Sequence, residues 1–106
     1  MTMTEEQRRK YDEYISQAKD FERQAENCYN SKYFLDAKGK YLSAHLAYDK
    51  AAGVARSFDD YSAEQAAVRE CWRISQKIQD CAYAYDDLVK EQDRNDPYSR
   101  HYQSRR

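Results

Sequence analysis

Turn-forming residues are scarce in this sequence: 106 residues include two glycines, Gly39 and Gly53, and one proline, Pro97. Sheet proteins need frequent turn residues between short strands, so the scarcity argues against a β-sandwich or barrel and for long helices. Large apolar side chains are also few, with thirteen Leu, Ile, Val or Phe residues in all. A share that low accompanies disorder when net charge is high. Here 18 basic and 19 acidic residues leave a formal net charge of −1. Thirteen Ala and eleven Tyr fill the deficit, which predicts a folded chain whose core is thin and built from small and aromatic side chains.

No run of about 18 apolar residues occurs, so no segment is expected to span a bilayer. The balanced charge excludes an obvious whole-domain nucleic-acid binder and a polybasic membrane-surface protein. Behind Met1 the chain runs into Glu5, Glu6, Arg8, Arg9 and Lys10 with no apolar stretch, unlike a secretory signal. Three cysteines are an odd number and read as reduced thiols, and the expected location is cytoplasmic.

Apolar spacing predicts three helices, over about 5–29, 32–55 and 61–92. The first carries Tyr11, Tyr14, Ala18, Phe21, Ala25 and Cys28 at alternating steps of three and four, with Thr4 and Gln7 forming a capping box. Asn30 or Ser31 is expected to cap the second. Its stripe is Phe34, Ala37, Tyr41, Ala44, Tyr48, Ala51 and Ala55. Gly39 falls off this stripe, and Gly53 is expected to fray the last turn. Ser57 or Asp60 is the expected cap of the third helix, whose stripe is Val68, Cys71, Ile74, Ile78, Cys81, Tyr85 and Leu88. Short connections and a repeat near 3.5 residues predict an all-α, antiparallel up-down-up three-helix bundle over 1–92. Asn95, Asp96 and Pro97 should stop the third helix, leaving 93–106 as a mobile basic tail.

Gln17 to Ala52 resembles a single tetratricopeptide-type helical hairpin. Ala25 matches a small position on the first helix, and Ala37, Tyr41 and Ala44 match Ala, aromatic and Ala on the second. The pattern is similar to the three-helix microtubule-interacting-and-trafficking domain as well. Asp49 stands where a repeat usually has proline. The resemblance implies that Lys19, Glu22, Glu26 and Tyr29 face a ligand, favouring a polar or basic peptide over a terminal carboxylate. Lys19 and Glu22, one turn apart, are also placed to pair with each other.

No constellation points to catalysis. Cys28, Cys71 and Cys81 all fall on core stripes and lack metal-ligand spacing. His45 lies beside the core stripe with no oxyanion site or third member nearby, and His101 lies in the tail. The acids Asp59 and Asp60 suit a helix N-terminus, while Asp86 and Asp87 sit on a charged face. Two isolated glycines make no phosphate loop. The expectation is therefore no enzyme, no catalytic residue, no metal and no cofactor.

The off-stripe aromatics are more informative. Tyr29, Tyr33, Trp72 and Tyr83 lie outside the core lines, and Trp72 and Tyr83, about three turns apart, project to one side of the third helix. Tyr and Trp in such places anchor interfaces. The expected function is a non-enzymatic interaction module of the adaptor, chaperone or inhibitor type, binding a partner helix or peptide. Self-association is expected through an overhanging end at Tyr85, Leu88 and Val89. The alternative is a nucleic-acid accessory protein using Arg94, Arg100, Arg105 and Arg106, with Tyr98 and Tyr102 stacking on bases.

Overall fold

The computed structural model describes residues 3–95. The chain forms α1 (Glu5–Asn30), α2 (Phe34–Ser57) and α3 (Tyr61–Asn95), with no strand among the described residues. The all-α three-helix reading holds, and each boundary lies within three residues of its expected place. The third helix runs past the expected stop near residue 92 to Asn95, because the restriction imposed by Pro97 acts mainly on the residue just before it.

At the start of α1, Thr4 Oγ1 accepts from the Gln7 amide, and Gln7 Oε1 accepts from the Thr4 amide at 2.8 Å. Glu5 and Glu6 add favourable charge in the first turn. The two short connections fall where the sequence placed them and are alike in a geometry it did not reveal. After α1, Lys32 adopts φ 67°, its amide donates to Tyr29 O, and the Tyr33 amide donates to Cys28 O. After α2, Asp59 adopts φ 56°, its amide donates to Arg56 O, and the Asp60 amide donates to Ala55 O. Both are Schellman motifs with a non-glycine residue in the left-handed position.

This geometry corrects the expected caps of α2. Asn30 ends α1, Ser31 is its C-cap, and Tyr33 precedes α2 without a side-chain cap. Asp60 does cap α3, accepting the Ala63 amide at 3.1 Å. Gly53 does not fray α2, which continues to Ser57. Because a Cβ is strained at positive φ, Lys32→Gly should stabilise the fold by about 0.5–1 kcal/mol and Asp59→Gly by rather less, since Asp tolerates this region. Urea unfolding of each variant checks this; a lower midpoint for Lys32→Gly would contradict it.

Three-residue connections force antiparallel neighbours, and α2 lies between α1 and α3, which pack on it and scarcely on each other. A helix covered on two sides needs small residues on both, and α2 buries Ala37, Ala44, Ala47, Ala51, Ala52 and Ala55. Ala18 and Ala25 on α1, and Ala63 and Ala67 on α3, complete the close approaches. The larger buried side chains are Tyr11, Tyr41, Tyr48, Ile74 and Cys81. The result is elongated, 67 × 23 × 13 Å, with a radius of gyration of 19.2 Å, against about 13 Å for a compact chain of this length.

Candidate interaction site

Between α1 and α3, above α2, runs a cleft of about 340 Å³ whose lining includes Lys19, Glu22, Tyr48, Glu70 and Arg73. Tyr48 rises from α2 and donates its hydroxyl hydrogen bond to Glu22. Arg73 spans from α3 to Glu22 Oε1 at 2.7 Å and also pairs with Glu70. Glu22 is thereby tied to both other helices, and its side chain is only 16 % exposed. Burial pushes the Glu22 carboxyl up, but hydrogen bonds from Arg73 and Tyr48, with the charge of Arg73, outweigh that and leave it below the usual range. Burial, then the Glu22 hydrogen bond, drives the Tyr48 phenol up. Tyr41, on the same face of α2 as Tyr48, is pushed up to about 12 by burial and the nearby charge of Glu26. Further along the seam, Tyr11 donates to Ala63 O at 2.8 Å.

These geometries sort the residues that the hairpin resemblance placed toward a ligand. Glu22 is bound to Arg73 and Tyr48, and the expected pairing with Lys19 does not form. Lys19 and Glu26 remain exposed. Tyr29 is half-buried and stands edge-on to Phe34, ring centroids 5.1 Å apart. The four therefore do not make one free stripe.

The thiols stand close to the expected pattern. Cys81 is buried, while Cys28 and Cys71 are half-buried. The Cys71 thiol points at the backbone carbonyl of His45, 3.8 Å away, and not at its imidazole. Burial, then Asp49 and Glu70, pushes its pKa up; burial does the same for Cys81. A thiol so placed is kept protonated, the opposite of nucleophile activation. Among the described residues, no three His, Cys, Asp or Glu side chains gather as a metal site, and no helix is long and apolar enough to cross a membrane.

The outer surface carries the large apolar groups. On α3, Trp72 is 71 % and Tyr83 is 62 % exposed. At 100° per residue both project away from Ile74, the buried centre of that helix. Tyr33 is exposed beside the first turn. On α2, Leu35, Leu42 and Leu46 are 56 %, 51 % and 54 % exposed. The sequence reading missed these leucines because it followed only the Ala/Tyr line; their mutual spacing of seven and four was the available signal. At the far end of α3, Tyr85 is exposed, while Leu88 and Val89 are half-buried and belong to neither core cluster. Arg94 lies in the last turn of α3, and Arg100, Arg105, Arg106, Tyr98, His101 and Tyr102 lie outside the described residues. Comparison with protein-family models, curated proteins and solved structures returns no match.

Proposed function

We propose that this chain is a non-enzymatic protein-protein interaction module whose outer α3 face binds a helix or peptide of a partner protein. One observation carries the reading: the single tryptophan, Trp72, stands in solvent on α3, with Tyr83 exposed on the same side. Eleven residues of helix place them about 16 Å apart, roughly three turns of a docked helix. Neither ring supports the core, so their apolar area is free to be covered by another molecule. Tyr and Trp bring large contact area at low entropy cost and recur as interface anchors.

A photo-crosslinking amino acid placed at Gln79, exposed between Trp72 and Tyr83 on the same side of α3, tests this in cells that make the protein, with adducts identified by mass spectrometry. One dominant protein adduct is expected, reduced at least tenfold by Tyr83→Ala. The control position is Glu13, on the exposed side of α1. Equal, diffuse labelling from positions 79 and 13 would defeat the reading.

A further inference from the structure

We propose that a second copy of this chain docks antiparallel on the outer face of α2, pairing Leu42 of each copy with Leu46 of the other. The proposal uses a different helix from the Trp72 face and stands independently of it.

The distribution of leucine is the first observation. The chain has four leucines, and three of them, Leu35, Leu42 and Leu46, are more than half exposed while the core is lined with alanine. Gly39 and Gly53 share their side of α2, at intervals of 4 and 14 residues that return to one face. A Cβ built on either glycine would meet nothing within 4 Å, and neither has positive φ. Nothing inside the chain requires glycine at these two helical positions, where it weakens the helix relative to alanine. Close approach from outside would.

Charge selects the occupant. Lys38 and Asp49 lie along one flank of the leucine face, and Asp36 and Lys50 along the other. None of the four is in an ion pair among the described residues; Lys50 only overlies the Tyr14 ring at 6.0 Å. In an antiparallel two-fold pair, each flank faces its own copy. With Leu42 opposite Leu46, Lys38 comes within one residue of level with Asp49 of the second copy, and Asp36 within two of Lys50. Both flanks are then complementary, and symmetry doubles each pairing. The same register sets Leu35 beside Gly53 of the second copy. There the surface opens into a cleft of about 710 Å³ lined by Tyr14, Val54 and Phe58, among others, and glycine leaves it unobstructed. One alignment thus places leucines on leucines, acids beside bases, and the outlying leucine at the cleft.

The leucine stripe is small beside a standard interface of about 1,600 Å², so the dimer dissociates on the order of 100 µM. Sedimentation equilibrium of the full chain from about 10 to 500 µM should show monomer and dimer. Leu42→Glu with Leu46→Glu should leave only monomer, with helicity unchanged because both positions are exposed. Lys38→Asp should weaken association about tenfold, and Lys38→Asp with Asp49→Lys should restore it. A short bismaleimide should link chains carrying Ser43→Cys, which lies near the two-fold axis, above the background of the native thiols. It should not link chains carrying Leu35→Cys, whose two copies stand about 27 Å apart. A monomer throughout, linkage at Leu35→Cys in place of Ser43→Cys, or a dimer that survives the double glutamate variant and is broken by Leu88→Glu would overturn the proposal.

Discussion

Tyr48→Ala is expected to lower the unfolding free energy by about 3–5 kcal/mol, a large share of the roughly 5–15 kcal/mol that holds a domain of this kind together. The ring is 1 % exposed and belongs to the cluster that includes Ala18, Ala25, Ala44 and Ile74. The other buried members of that cluster are mostly alanines, too short to reach into the space left behind. Tyr48→Phe separates packing from hydrogen bonding: it keeps the ring and removes the donor to Glu22. Its expected cost is about 1–2 kcal/mol, because Glu22 keeps Arg73 and some contact with water. The two variants should also differ from wild type in acid. Glu22 titrates below its usual value of 4.5 in the folded chain. Its contribution is therefore complete above that value and is lost as pH falls through the lower, folded-state value. Tyr48→Phe removes one of the groups that holds Glu22 down, so the folded-state value moves back toward 4.5 and the stability lost in acid should be smaller and complete at higher pH than in wild type. Urea unfolding at neutral pH and between pH 5 and 2 checks both statements. An unchanged midpoint for Tyr48→Ala would remove the ring from the core, and an acid profile identical to wild type for Tyr48→Phe would remove the hydroxyl from the control of Glu22.

Helix spacing and count were readable because the apolar lines keep steps of three and four over long stretches. The Thr4 and Gln7 box was readable because both partners lie within one turn. The places of the connections were readable but their geometry was not, since the left-handed positions hold Lys32 and Asp59, and no glycine advertises them. Ala47 and Ala52 escaped the single-stripe reading because α2 is buried on two sides, and a helix sandwiched between two others has no single apolar face to find. The Glu22, Tyr48 and Arg73 network had no local signal at all, because its members come from three helices. Trp72 and Tyr83 could be assigned to one side of α3 from helical spacing alone, and both are exposed. The leucines of α2 follow the same geometry, but lie off the Ala/Tyr line that defines the buried side of that helix.

The second large effect follows from the same inversion of size between core and surface. Ala44→Leu is expected to destabilise the fold by about 2–3 kcal/mol, in spite of the added apolar area. Ala44 is fully buried on α2, in one cluster with Ala18 and Ala25 of α1 and Ile74 of α3. Alanine there lets the helices approach closely, and the three extra carbons of leucine fit only if a helix moves or rotamers become strained. Leu42→Ala, two residues away on the outer face, should leave monomer unfolding within about 0.5 kcal/mol of wild type at low concentration, since more than half of that side chain is already in water. The pair reverses the usual expectation that adding a leucine stabilises and removing one destabilises. Urea titrations at about 5 µM, where any weak dimer is dissociated, measure both. An Ala44→Leu chain with an unchanged or higher midpoint would mean that α2 has room beside its neighbours, and that closeness of helix axes is not what the alanines supply.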